Sequence, residues 1–200
     1  MSRAQYVDPD VSRAKFEREV SDYRLNEADY RRRGWILTEA EFPRILVVLC
    51  ATKLKPPAVI TGVAFDYSNY DAEPPSVRLV DPFSGEPFTS PNLPTVLKRR
   101  VAVEKPPPGL PAGFAMVTDQ PLMQWYGPDD TPFLCLAGVR EYHEHPAHSG
   151  DSWLLHRAAG AGRFVRLLEV IDKYGVRPIS GYNVELKPQI SGFLQSEPVE

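Results

Sequence analysis

A chain of 200 residues, 42% of them apolar, is long enough to bury one hydrophobic core and is expected to form a single α+β domain. Its formal net charge of −3 gives no general attraction to nucleic acid or to an anionic membrane. Two cysteines make no disulfide framework, no apolar run reaches bilayer-spanning length, and residues 1–10 carry no apolar signal core, so a cytoplasmic location is expected.

Residues 10–33 read as helix. Asp10 or Ser12 caps it, and Val11, Ala14, Phe16, Val20, Tyr23 and Tyr30 recur at roughly helical spacing among charged neighbours. Asn26 can cap a second piece. Gly34 is a natural stop after Arg31, Arg32 and Arg33, whose charge suits a helix C-terminus better than it suits a polyanion site. Four strands follow, over residues 35–42, 44–53, 59–67 and 76–80, and the short turns between them favour an antiparallel meander. The second strand is apolar enough to be central, which makes Cys50 a small core residue. The rigid Pro74-Pro75 pair leads into the fourth strand. Proline, at 21 residues, has about twice its usual share. The prolines fall mainly between elements, so they stiffen connections.

Residues 83–132 are the least periodic part. Residues 96–103 suit a strand or a short helix, 105–111 are polyproline-like, and 122–130 form an aromatic loop with Trp125 and Tyr126, which closes over the core more readily than it meets a partner. Further on, a helix is expected over 162–174 with Gly175 as its stop, then a short strand over 182–186. Residues 1–9 and 192–200 read as tails. Trp35 and Trp153 suit the core.

Between these elements lies the chemistry. All four histidines, His143, His145, His148 and His156, fall in one window that opens at Cys135 and includes Glu141 and Glu144. Thiolate, imidazole and carboxylate are the donors that zinc accepts. Pro146 argues for a loop through the histidines, and an extended loop would put His143 and His145 on one face and Glu144 on the other. Cys135 follows an apolar Phe133-Leu134 pair that reads as a short buried strand. The plainer alternatives are a polar surface loop beside an inert cysteine, and a reactive thiol with histidines nearby.

The order of helix, antiparallel strands, Pro-Pro before the last strand, Cys-Leu, Trp and helix resembles the ubiquitin-conjugating-enzyme fold. The motif-level likeness is at Tyr70-x-x-x-Pro74-Pro75-x-Val77-Arg78-Leu79 and at Cys135-Leu136 followed by Trp153. No His-Pro-Asn triplet precedes Cys135 at the family's place, and Asn92 is far upstream. The histidine insertion is similar to a narrower bacterial group with a Cys-Glu-His-His signature, associated with prokaryotic ubiquitin-like operons. That resemblance implies a zinc-type metal held by Cys135, Glu141 and two of His143, His145 and His148. It also implies partners: a ubiquitin-like modifier and an activating or conjugating enzyme.

Three activities are compatible with this. The first is a non-catalytic metal-binding module in which Asp151 and His156 support the ligands. The second is an active conjugating enzyme carrying a thioester on Cys135. The third, a metal hydrolase using Glu141 or Glu144, is disfavoured because the helical His-Glu-x-x-His arrangement is absent. Gly160 and Gly162 suit a helix-start loop. Arg140 and Arg157 flank the window and are candidates to pair with Glu141 or Asp151.

Overall fold

The computed structural model describes residues 4–103 and 116–183. Its architecture is the expected α+β one: N-terminal helices, a four-stranded antiparallel sheet, an irregular region and C-terminal helices. Helix α1 spans Pro9–Arg24 and α2 Glu27–Arg33. Asp8, not Asp10 or Ser12, caps α1, because its carboxylate reaches the Asp10 amide and Pro9 fills the first turn. Asn26 precedes α2, and Gly34 ends it in the left-handed conformation (φ 92°) after the three arginines. A side chain there would meet the Cys50 carbonyl oxygen, so both the sign of φ and the close strand require glycine.

The sheet runs in order β1 (Trp35–Glu41), β2 (Arg44–Ala51), β3 (Ala58–Asp66) and β4 (Ser76–Val80). The last of these has the bounds expected from sequence. Trp35, Leu37, Val47, Leu49, Val63, Phe65, Val77 and Leu79 are buried in one continuous core. Against them lie Phe16 and Tyr23 of α1 and Phe164, Leu167, Leu168 and Ile171 of α5 (Phe164–Ile171). Aromatic contacts join the layers, with Phe65 edge-on to Phe164 at 5.0 Å and Tyr23 beside Phe164 at 5.2 Å. The buried face of α1 differs from the apolar pattern. Ser12 and Glu19 are inside, and Val11 is 47% exposed. Glu19 is inside because it accepts a hydrogen bond from the Phe164 amide at 3.0 Å, supplying the cap that Arg163 cannot give α5.

The irregular region resolves into small pieces. Residues 98–102 form a strand, β5 (Lys98–Ala102), paired with β6 (Val117–Pro121). Strand β7 (Met123–Gln124) pairs with β8 (Phe133–Leu134), so a short buried strand does lead into Cys135. The expected loop through the histidines is instead a short helix, α3 (Arg140–Glu144), then one 3₁₀ turn, Pro146–His148. Pro146 ends a helix that begins before it; it does not forbid one. His143 and His145 therefore do not share an extended face. Helix α4 (Trp153–Arg157) comes next, with Trp153 buried. The helix expected over 162–174 is α5, continued through Asp172–Val176 as a wider π-type turn, so Gly175 lies within that turn and does not stop it. Tyr182 and Asn183 are not in a strand; residues 184–186, 192–200 and the polyproline-like 105–111 lie outside the described residues. Residues 4–8, read as part of a tail, are tied down: Asn69 Oδ1 accepts from the Tyr6 and Val7 amides at 2.8 and 3.0 Å.

Gly138 lies where the segment after Cys135 crosses the chain entering α5. A Cβ there would stand 2.0 Å from the Ala161 carbonyl oxygen, with no flexible side chain to give way. Gly138→Ala is expected to cost about 1–3 kcal/mol, read as a lowered urea midpoint with an unchanged slope.

Candidate functional site

Cys135 sits at the end of β8, its amide donating to the Leu122 carbonyl at 2.8 Å, with its side chain partly exposed. Its Sγ lies 3.4 Å from His148 Nε2. Burial pushes the thiol up from its ordinary value, against a smaller opposing pull from Arg99. Burial also lowers His148, with the charges of His145 and His143 adding to it and Asp151 opposing. Both shifts favour the neutral forms, a thiol beside an uncharged imidazole, over a thiolate–imidazolium ion pair.

The imidazole is held by an aromatic stack. Tyr142, on α3, packs its ring on His148 with centroids 3.8 Å apart and planes at 20°. The Tyr142 hydroxyl donates to Asp151 Oδ2 at 2.7 Å, and His156 Nε2 lies 2.6 Å from Asp151 Oδ1. These two partners hold the Asp151 carboxyl below its usual range, and the same carboxylate pushes the Tyr142 phenol up to about 12. Sequence reasoning misses Tyr142, because its one signal there is an aromatic residue among the imidazoles.

The other expected donors go elsewhere. Glu141 is buried and directed at β4. It accepts a short hydrogen bond from the Ser76 hydroxyl and a longer one, at 3.4 Å, from the Val77 amide, and it lies 3.2 Å from Arg78 Nη2. His143 has both ring nitrogens against backbone oxygens, Nδ1 at 2.9 Å from Asp151 and Nε2 at 2.8 Å from Ala137. His145 accepts from the Ala147 amide through Nδ1, so it caps the 3₁₀ turn; its ring stacks on Tyr126 at 5.0 Å and lies 5.3 Å from His148. Arg140 is buried and pairs with neither Glu141 nor Asp151; it donates to the carbonyls of Pro74, Ser68 and Asp66.

Of the five expected ligands, then, the structure brings Cys135 and His148 together, sets His145 next to them, and engages Glu141 and His143 elsewhere. Among the described residues no three His, Cys, Asp or Glu side chains are grouped as a metal site. The pair itself has a spacing that suits an ion. A tetrahedral zinc bonded to sulfur at ~2.3 Å and nitrogen at ~2.0–2.1 Å holds those atoms about 3.6 Å apart. Among the described residues, no helix is long and apolar enough to cross a membrane.

Fold and site together define an α+β protein with a four-stranded meander, helices on one face, and a cysteine–histidine centre beside the fourth strand. The chain belongs to the Y4jH-like family, whose model, described as Y4jH family, matches residues 7–179 and so takes in both the sheet and the centre. It is 40% identical over 197 residues to "Uncharacterized protein y4jH" of Sinorhizobium fredii (strain NBRC 101917 / NGR234), an alignment covering 97% of this chain and 96% of that one.

Two outcomes are expected here. Glu141→Ala removes the acceptor of the Ser76 hydroxyl and of the buried Val77 amide, together with the partner of Arg78, and should cost about 1–3 kcal/mol, measured by chemical denaturation with and without a chelator. Asp151, with its lowered pKa, contributes stability that is complete above about pH 4 and is lost as the pH falls through the lowered value. The difference in melting temperature between wild type and Asp151→Asn should therefore be full at pH 7 and shrink toward pH 3.

Proposed function

We propose that this protein is a conjugating-enzyme-like factor of a bacterial ubiquitin-like modification pathway, acting in the cytoplasm, with Cys135 and His148 as its chemical centre. The observation that carries this is the 3.4 Å approach of Sγ to Nε2 at the end of β8. Support comes from the layout: one helix pair, a four-stranded meander, the Pro-Pro entry to β4, and Cys-Leu followed by a buried Trp and a helix.

The geometry favours the sulfur as an acyl carrier. The Cys135 thiol attacks the thioester carbonyl carbon of a modifier held on an activating enzyme. Its proton passes to His148 Nε2, the bond to the donor sulfur breaks, and that sulfur leaves as thiolate. In the second half an amine attacks the new thioester, Cys135 leaves, and His148 returns the proton to it while the amine's proton goes to water. A neutral imidazole is the form this requires, and burial favours it. The family's His-Pro-Asn triplet has no counterpart before Cys135, so the amide-forming half has less support than the loading half.

A second proposal keeps the protein non-catalytic, with a zinc-type ion on Cys135 and His148. It is favoured by the sulfur-to-nitrogen spacing and by His145, whose ring lies 5.3 Å from that of His148. Such an ion would hold the sulfur as thiolate and fix the 3₁₀ turn. Glu141 and His143 do not fit as its ligands while they keep their present partners.

Incubation with an activating enzyme, ATP and the ubiquitin-like modifier of the same organism should give a reducible adduct on a non-reducing gel. Cys135→Ala should abolish it, and His148→Ala should slow its formation about 10²-fold or more. Failure to form any adduct removes the carrier proposal. About one zinc per chain by elemental analysis, lost in His148→Ala but kept in His143→Ala, would establish the metal proposal in its place.

A further inference from the structure

A cavity of about 400 Å³ opens between the end of α2, the end of β2 and the π-type turn after α5. That volume is in the range of small-molecule sites. Its walls carry four cations, Arg32, Arg33, Lys53 and Arg177, and one carboxylate, Asp172. Asp172 is buried and shared: its Oδ2 lies 2.7 Å from Arg177 Nε and 3.3 Å from Arg33 Nη2, so two guanidiniums divide one negative charge. From outside, Glu169 lies 3.6 Å from Arg33 and Asp29 pairs with Arg32, which still leaves one cation in excess. Lys53 has no ion-pair partner among the described residues, and the buried Nε of Arg33 has no hydrogen-bond acceptor. Ala51, Val176 and Ile179 give the lining an apolar share, and Cys50, half-buried, is also part of it. Cys50 is therefore not the enclosed core residue expected from its strand.

We propose that this cavity binds a small organic phosphate, with the phosphate between Lys53 and the Arg33–Arg177 pair and a compact apolar body over Val176 and Ile179. A phosphate monoester offers the excess cation an anionic partner and gives the guanidinium and ammonium donors acceptor oxygens, since the fixed carboxylate is already used twice. The apolar share of the lining excludes bare inorganic anions as the best fit. This site uses none of the residues assigned to the Cys135 centre.

Cys50 provides the readout. In Cys135→Ser protein Cys50 is the sole thiol, because the chain has two cysteines. Phenyl phosphate at about ten times its dissociation constant should slow alkylation of Cys50 by N-ethylmaleimide about tenfold. It should also raise the melting temperature, and phenol or inorganic phosphate at the same concentration should do less of both. Lys53 is exposed, so Lys53→Gln should fold normally and weaken binding about tenfold, and Lys53→Arg should keep it. Equal effects from phenol, equal binding by Lys53→Gln, or neither protection nor a thermal shift with phenyl phosphate would each overturn the assignment.

Discussion

The site depends on one buried carboxylate. Glu141 leaves α3 toward the start of β4 and is met there by the Ser76 hydroxyl, the Val77 amide and the Arg78 guanidinium. A charge this deep is tolerated only because each oxygen has a partner. Its neighbour Arg140 does the complementary work, donating to three carbonyls of the connection between β3 and β4. Two adjacent residues of opposite charge thus clamp a five-residue helix, too short to be stable alone, onto the sheet edge. The Tyr142 ring and the turn bearing His148, just C-terminal to them, take their position from that clamp.

The clamp changes what the histidine window means. Rich in metal-binding side chains, it spends several of them on structure: one imidazole bridges two backbone oxygens, another caps a turn, a third pairs with Asp151. Beside the sulfur stands the His148 imidazole, stacked face-on against Tyr142. The burial that raises the Cys135 thiol opposes a bare thiolate, so an ion bound there would have to offset that cost.

Much of the fold is legible in the sequence because it rests on local periodicity. β-Branched and aromatic runs separated by short turns specify the meander, and Pro74-Pro75 marks the entry to β4. The glycine after three arginines marks the end of α2. Errors arise where a single residue outranks the pattern. Glu19 is inside α1's buried face because a distant helix start needs its oxygen, a tertiary demand no helical wheel displays. Pro146 reads as a helix breaker, yet a proline just beyond a helix leaves every turn before it intact. At the site, composition gathers Cys135, Glu141 and the histidines into one window, but it shows neither which imidazole meets the sulfur nor the direction in which Glu141 points. That direction is fixed by Ser76 and Arg78, more than sixty residues away in the chain, and no spacing rule within the window reaches them.

The crossing of Gly138 over Ala161 couples two halves of the molecule mechanically. The backbones touch without any intervening side chain, and Gly162 packs closely on Trp153 and Pro75. The segment that follows Cys135 and the chain that enters α5 therefore share one backbone-to-backbone seam, and any side chain placed in it must push the two apart.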